Sequence, residues 1–196
     1  TLPANDFPTL DDIGASQVVK IPGYDFRELI DRTHFSMALQ DVRYYLNGLL
    51  IELTSDWIRA VATDGHRLAL SEKLVGTHFE EKRQVILPRK GVQELLRLLS
   101  DRESEIDVEL GTNHIRVDLD DIRFTSKLID GRFPDYERVI PAQSTIEIAM
   151  ERSMVKDAFV RVAILSNDKF KGIRFGLKDN FFRVMPENTV WASALA

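Results

Sequence analysis

Cysteine is absent from the 196 residues of this chain, so neither a disulfide framework nor a thiolate metal site can form. No apolar run approaches the roughly 18 residues that a membrane-spanning helix requires. The first residues also lack the basic and apolar segments of a secretion signal. These absences fit a protein of the cytoplasm that has no membrane partner.

Motifs for cofactors and metals are missing as well. The chain has no Walker loop, no Rossmann glycine pattern, no zinc knuckle and no convincing carboxylate pair for two metal ions. Three histidines, His34, His78 and His114, lack companions at the spacing of metal ligands. Acidic pairs such as Asp120-Asp121 are typical of solvated loops. We therefore expect no cofactor, no metal and no catalytic residue.

One pair of residues leaves an enzymatic alternative open. His66 lies close to Asp64 and could be interpreted as half of a hydrolytic dyad. Residues this near in a turn rarely hold the required geometry, and no Gly-x-Ser-x-Gly motif accompanies them. This hypothesis predicts that replacing His66 abolishes a turnover activity, although the sequence names no substrate.

The composition is that of an ordinary soluble domain, with 44% apolar and 29% charged residues. The formal net charge of −5 argues against nucleic acid as a partner of the whole surface, because phosphate binding needs concentrated Lys and Arg. Net charge does not exclude a local basic surface, since the distribution of charge decides binding.

Hydrophobic periodicity predicts a strand, a helix and three strands, and then the same order again. The first helix carries Phe26, Leu29, Ile30 and Thr33 at helical spacing, and the second carries Val92, Leu95, Leu96 and Leu99. The predicted strands are Val18–Ile21, Tyr44–Leu53, Ile58–Thr63, Arg67–Leu70, Val85–Leu87, Ile106–Leu110, His114–Leu119 and Ile122–Ser126. Within Tyr44–Leu53 we expect a bulge at Asn47-Gly48 and alternating directions for Tyr44 and Tyr45.

The two rounds also share sequence. Ile21–Ile30 aligns with Leu87–Leu96 at an offset of 66 residues, with the Pro and Glu identical and the apolar positions kept. A duplication predicts a pseudosymmetric architecture. A third round is predicted to open with a strand at Ile146–Ile148, a helix from Met154 to Ile164 and a strand from Phe170 to Leu177, after a boundary at Pro141–Ser144.

Nine stretches resemble the bacterial DNA sliding clamp, the processivity (beta) subunit of DNA polymerase III, in order and spacing. They are Leu2–Pro8, Phe35–Ala38, Gln40–Gly48, Ala62–Ala69, Pro88–Val92, Phe124–Leu128, Asp130–Tyr136, Ala163–Asn167 and Phe170–Gly172. The resemblance implies an α+β DNA-clamp fold of duplicated strand-helix-three-strand units, with helices on one face of antiparallel sheets. The label of polymerase subunit would describe membership of a nucleotidyltransferase complex rather than chemistry in this chain.

The resemblance also implies a domain organisation. Residues 1–16 correspond to a linker after a missing first domain, 17–141 to the clamp's middle domain, and 142–196 to a partial C-terminal domain. The tail 185–196 departs from the family at this point. Family members close as homodimeric rings around duplex DNA, whereas this chain would lack the domains that form the ring interface.

Two binding surfaces follow from the family. The DNA-facing positions, where cations contact phosphates without reading bases, map onto Gln40, Arg43, Tyr44, Tyr45, Arg89, Lys90 and Arg97. The cleft that receives peptide tails of the polymerase, the clamp loader and repair proteins maps onto Leu46, Thr63, Gly65, His66, Arg67, Leu68, Pro134, Arg138 and Val139. A peptide with Leu and Phe anchors needs such an apolar floor with a few orienting polar groups.

From the residues alone, each surface has a simpler interpretation. Arg89-Lys90 is also typical of a solvated helix end, the two tyrosines of packing residues, and His66 of an exposed turn. A second functional hypothesis remains: a regulatory or decoy clamp that binds partner tails without encircling DNA. Oligomeric state and retention on circular DNA would distinguish the two.

Overall fold

The computed structural model describes residues 17–76, 81–100, 103–142, 146–166, 172–178 and 181–187. The chain divides into two compact units after Val139. Among the described residues, no helix has the length and apolar character needed to cross a membrane.

The first unit contains the predicted repeat. Its first round consists of β1 (Gln17–Pro22), α1 (Gly23–Asp31), β2 (Gly48–Leu53), β3 (Trp57–Thr63) and β4 (Leu68–Leu74). Its second round consists of β5 (Arg83–Pro88), α2 (Arg89–Leu98), β6 (Glu105–Leu110), β7 (His114–Leu119) and β8 (Ile122–Lys127). The predicted order of one strand, one helix and three strands, occurring twice, is confirmed.

The two rounds exchange their first strands. The antiparallel sheets have the strand orders β1-β6-β7-β8 and β4-β3-β2-β5, so each combines one strand of one round with three of the other. Ile21 of β1 lies opposite Ile106 of β6, and Leu50 of β2 lies opposite Ile86 of β5. Neither sheet can be completed by one round alone.

The repeated proline stands at the same point in both rounds. Pro22 and Pro88 each end a strand and form the N-cap of the following helix, with φ of −55° and −59°. The proline ring favours this φ, and its missing N–H is not needed at a helix start. The identical prolines in the sequence repeat therefore mark the same strand-to-helix junction.

One core fills the space between the helices and both sheets. α1 contributes Phe26, Leu29 and Ile30, and α2 contributes Val92 and Leu95, as the apolar stripes predict. Thr33 is not in the helix: it follows the end of α1, where its Oγ1 donates to the Leu29 carbonyl at 2.7 Å. A buried hydroxyl is stabilised by such a bond.

The outward face of the first sheet is charged. Three cross-strand ion pairs lie on it, joining Lys20 to Asp107, Glu109 to Arg116 and Asp118 to Arg123 at 2.6 to 3.1 Å. Alternation between these charges and the buried apolar residues is the pattern of a sheet with one solvated face.

The interior strand β2 of the second sheet is buried on both faces. In β2, Leu49, Ile51 and Leu53 belong to the main core, while Leu50 points to the other side. There it packs with Phe133 and Tyr136 from the segment 128–139, which follows β8. This segment gives the sheet a second apolar layer on the face opposite the helices.

The predicted strand from Tyr44 is wrong over its first four residues. Tyr44–Asn47 forms a 3-10 turn, and β2 begins only at Gly48. The Asn47 amide fixes this turn, because it accepts the Asp41 N–H and donates to the Asp41 carbonyl, both at 2.9 Å. The tyrosines consequently do not alternate across a sheet, and their rings meet edge to face at 5.8 Å.

The second unit contains α3 (Arg152–Ile164), β9 (Ile173–Lys178) and β10 (Phe181–Pro186). Glu151 caps α3 by accepting the Ser153 N–H at 3.1 Å. The strand predicted at Ile146–Ile148 is wrong: the segment lies outside regular structure, since neither described strand of this unit pairs with it. Of the other predictions, the linker 1–16, Phe170 and residues 188–196 of the tail lie outside the described residues.

Candidate functional site

A cavity of about 380 Å³ lies against the second sheet. Residues of the first unit line it: Arg43, Tyr45, Leu46, Thr63, Gly65, His66, Arg67, Leu68, Pro134, Asp135, Tyr136 and Val139. Tyr45, Leu68 and Tyr136 also belong to, or pack on, the apolar layer on the sheet face away from the helices. The cavity therefore opens on the side of the sheet opposite to α1 and α2.

The structure brings together eight of the nine residues predicted for the peptide cleft. The ninth, Arg138, does not line the cavity: its side chain is 85% exposed and pairs with Asp135 at 2.7 Å. Two residues predicted to face DNA, Arg43 and Tyr45, also line this cavity. Asp135 and Tyr136 were missed by the sequence prediction, although they lie between the predicted Pro134 and Val139.

The floor of the cavity is apolar and its rim is polar. Leu46 is 2% exposed and Leu68 is half-buried, whereas Val139 on the opposite wall is 69% exposed. A large apolar side chain with this much free surface next to a concave floor can gain contacts when a ligand binds. The shape and polarity suit aliphatic or aromatic side chains of a ligand.

A tight turn forms one rim of the cavity. The Thr63 hydroxyl accepts the Gly65 N–H at 3.0 Å and donates to the Arg67 carbonyl at 2.7 Å. Gly65 has a φ of +90°, which disfavours any residue with a Cβ, and an added Cβ would lie 3.2 Å from the Arg43 guanidinium. The backbone conformation is therefore the main reason for glycine here, and the end of the Arg43 side chain adds close contact.

The Asp64 carboxylate shapes this turn. Its Oδ1 accepts the backbone N–H groups of His66 and Arg67 at 2.9 and 3.1 Å, and its Oδ2 pairs with the Arg67 guanidinium at 3.1 Å. These hydrogen bonds lower the pKa of Asp64, and the bond from the His66 N–H has the largest effect. The carboxylate orients the backbone of His66 rather than its ring, so the geometry does not support a hydrolytic dyad.

Arg43 is held at the rim by Asp41. The guanidinium donates to both carboxylate oxygens, at 2.9 and 2.7 Å, and its Nη2 also reaches the Asp64 carbonyl at 3.5 Å. This side-chain hydrogen bonding lowers the pKa of Asp41 to about 2. The pair ties the segment before the 3-10 turn to the Thr63–Arg67 turn.

We predict that the Asp41 carboxyl titrates near pH 2 rather than near its usual value. Because the pKa is lowered in the folded state, the stabilisation is present above the unfolded pKa and is lost as pH falls through about 2. The pKa can be measured from the pH dependence of the NMR shift of the Asp41 carboxyl carbon. The variant Arg43→Gln, which lacks the guanidinium, serves as the reference. A midpoint close to the ordinary value of about 3.9 in the unmodified chain would contradict the prediction.

Three of the other predicted DNA-facing residues, Arg89, Lys90 and Arg97, lie on α2. Lys90 and Arg97 are exposed on α2, and the exposed Gln93 lies between them at helical spacing. Arg97 pairs with Glu94 of the same helix. The half-buried Arg89 donates to the Met37 carbonyl at 3.4 Å, which places the start of α2 beside the loop that carries the exposed Gln40. Tyr44, beyond that loop, is 56% exposed.

The described residues contain no group of three or more His, Cys, Asp or Glu side chains that could hold a metal ion.

Comparison with known proteins places this geometry in a family. The family profile described as "DNA polymerase III beta subunit, central domain" matches residues 20–135. The chain belongs to the bacterial sliding-clamp family. The match falls on the unit that holds both the cavity and the two helices.

Named relatives of this clamp-family chain agree with that assignment. The Beta sliding clamp of Pseudomonas aeruginosa is 47% identical over 188 residues, and that of Escherichia coli K12 is 46% identical over 188 residues. Each alignment covers 96% of this chain and 51% of the relative, so the chain spans about half the length of the curated relatives it matches. The relatives are named as clamps rather than enzymes, which agrees with the expectation from the missing catalytic motifs.

Solved structures of the family share the fold. DNA polymerase III subunit beta from P. aeruginosa matches with a TM-score of 0.91 and 46% identity over 96% of this chain and 52% of that chain. The sliding clamp from Bacillus subtilis matches with a TM-score of 0.87 and 25% identity over 93% and 49%. A further P. aeruginosa clamp structure, bound to griselimycin, has a TM-score of 0.90 and 46% identity over 96% and 51%. The predicted α+β DNA-clamp fold is confirmed.

Proposed function

We propose that this chain acts as part of a bacterial sliding clamp and that its cavity binds short peptide tails of replication and repair proteins. The main support is that one concave surface is lined both by apolar side chains and by the polar Thr63–Arg67 turn. The apolar side chains are those of Leu46, Leu68, Pro134 and Val139. The replicative polymerase, the clamp loader and repair proteins are the proposed sources of such tails. The function is binding, not catalysis.

The physical properties of the cavity support a peptide with leucine and phenylalanine anchors. Its volume of about 380 Å³ is at the small end of ligand pockets and accommodates a few side chains rather than a whole domain. Apolar anchors buried in such a floor contribute most of the affinity, while polar rim groups fix the direction of the chain. Gly65 leaves room for the peptide backbone because it has no side chain.

Titration of a fluorescent peptide with the motif Gln-Leu-x-Leu-Phe tests this proposal. We expect saturable binding in the micromolar range or tighter, and its loss in the double variant Leu46→Ala, His66→Ala. Leu46 forms the buried floor and His66 the exposed rim, so the variant removes contacts of both kinds. Val18→Ala, an exposed position outside the cavity lining, serves as the control that should leave binding unchanged.

The result separates two explanations. Binding that persists in the double variant would mean that the peptide occupies another surface. An absence of binding by a folded chain would contradict the proposal that this unit alone carries a sufficient cleft. A thermal unfolding curve of each variant verifies that the chain is folded during the titration.

We also propose that the helix side of the unit faces duplex DNA without reading its sequence. The supporting observation is the exposed stripe of Lys90, Gln93 and Arg97 on α2, with Arg89 at the helix start beside the loop of Gln40. Long flexible cations suit contacts to phosphates, and helix N-termini favour anions. In this proposal residues 142–196 represent part of the clamp's last domain, and encirclement of DNA belongs to a complete clamp ring.

A further inference from the structure

A buried carboxylate lies beneath the wall of the cavity. Glu52 is on β2, an interior strand of the second sheet, and is 0% exposed. On the strand it shares the face of Leu50, which packs in the apolar layer that contains Phe133 and Tyr136. A carboxylate in such surroundings requires several partners to offset the loss of hydration.

Both oxygens of Glu52 have partners. Oε1 accepts the Tyr136 hydroxyl at 2.8 Å, and Oε2 pairs with the Lys82 ammonium at 2.7 Å and accepts the Gln84 amide. The Arg59 guanidinium lies 3.5 Å from Oε1. Residues from β2, β3 and β5 thus meet a tyrosine that comes from the segment covering the sheet.

The Tyr136 hydroxyl contacts both charged groups at the centre of this network. It donates to Glu52 and accepts from the Arg59 guanidinium at 2.7 Å. Burial, as the leading cause, raises the pKa of Tyr136 to about 12, so the phenol keeps its proton at neutral pH. Arg59 is oriented in turn by Glu72, at 2.8 Å, and by the Trp57 ring, whose centroid is 4.0 Å from the guanidinium carbon.

The hydrogen-bond network is linked to the cavity through Tyr136, which is part of both. Tyr136 opens the 3-10 turn Tyr136–Val139, and it lines the cavity together with Pro134, Asp135 and Val139. Upstream, the covering segment is tied to β5 where the Ile129 N–H donates to the Ile86 carbonyl at 2.9 Å. The phenol fixes the segment again at the cavity wall, with a hydrogen-bond geometry that apolar packing alone would not impose.

We propose that Glu52 and Arg59 are positioning residues for the peptide site: through the Tyr136 hydroxyl they fix the Pro134–Val139 wall of the cavity in the conformation that receives a ligand. The proposal rests on the proposed peptide-binding function. Neither Glu52 nor Arg59 lines the cavity, so their effect on binding acts through Tyr136.

The variant Tyr136→Phe tests the role of the hydroxyl directly. It keeps the buried ring and removes only the oxygen that connects Glu52 with Arg59. We expect peptide affinity to fall at least about fivefold, because the hydroxyl makes two hydrogen bonds and the loss of one of ordinary strength corresponds to about that factor. We also expect Tyr136→Phe and Val139→Ala to be non-additive, because a displaced wall no longer presents Val139 to the ligand.

A matched control separates positioning from general loss of stability. Lys73→Met removes an ammonium that pairs with Asp25 at 2.7 Å and with Glu28, away from the cavity lining. Combined with Val139→Ala, it should give the product of the two single effects. If Tyr136→Phe leaves affinity unchanged, or if its effect multiplies with that of Val139→Ala as the control does, the proposal is overturned.

Hydrogen exchange supplies a readout that needs no peptide. In Tyr136→Phe we expect faster exchange of the amides of 135–139, with the amides of β2 and β3 unchanged. Unchanged exchange at 135–139 would overturn the anchoring role of the hydroxyl. If the unmodified chain fails to bind peptide, the proposed function fails, and the exchange result alone then decides whether the network fixes the wall.

Discussion

Gly48→Ala is expected to lower the free energy of unfolding of the first unit by about 3 kcal/mol, the upper part of the range for overpacking a core. A Cβ at this position would lie 2.7 Å from the Leu87 carbonyl oxygen and 2.7 Å from Cγ2 of Ile86. It would also meet Cδ1 of Ile129 at 2.9 Å. The backbone oxygen cannot move aside without disturbing the pairing of β2 with β5, in which Gly48 lies opposite Pro88.

Urea denaturation followed by circular dichroism measures this loss. Gly76→Ala is the matched control, since an added Cβ there has no heavy atom within 4 Å and should change stability by less than about 0.5 kcal/mol. Equal midpoints for the two variants would show that β2 and β5 are not packed as closely at Gly48 as the structure indicates.

Charge reversal on α2 is expected to weaken binding to duplex DNA by at least about tenfold. Lys90→Glu, Arg97→Glu replaces two exposed cations of the proposed DNA surface, and each lost phosphate contact should reduce the slope of log K against log salt by about 1. Fluorescence anisotropy of a labelled duplex over a salt series gives both affinity and slope. The loss should be the same for unrelated DNA sequences, because phosphate contacts carry no base information.

The control for this experiment changes net charge equally. Lys20→Glu, Arg123→Glu reverses two cations on the outward face of the first sheet, where they pair with Asp107 and Asp118. If DNA binds the α2 surface, this control variant retains most of its affinity for duplex DNA. Equal losses in both variants would indicate a response to total charge and would contradict a localised DNA surface.

The positions of the two proposed surfaces allow them to be occupied together. The cavity lies on the face of the second sheet that carries Leu50, whereas α1 and α2 pack on the face that carries Leu49 and Ile51. A strand buried on both sides separates the proposed peptide site from the proposed DNA surface. A clamp that holds DNA and a partner at the same time requires such a separation.

Several features of this protein were determined by the sequence itself. Periodicity and the repeated proline predicted the two rounds, and the apolar stripes of both helices are the residues found in the core. The resemblance to the clamp family identified eight residues that the structure gathers around one cavity. The predictions of the two rounds and of the helix stripes succeeded because they depend on local spacing, whereas the role of the cavity as a peptide cleft stays a prediction.

Tertiary structure alone decided the remainder. The exchange of β1 and β5 between the sheets depends on pairings such as Ile21 with Ile106, which no local pattern specifies. The turn at Tyr44–Asn47 depends on the Asn47 amide reaching Asp41, and it placed Arg43 and Tyr45 at the cavity. The Glu52 site required Tyr136, 84 residues away in the chain, to supply the buried hydroxyl. A buried charge is tolerated only where distant partners converge, and only folding brings them together.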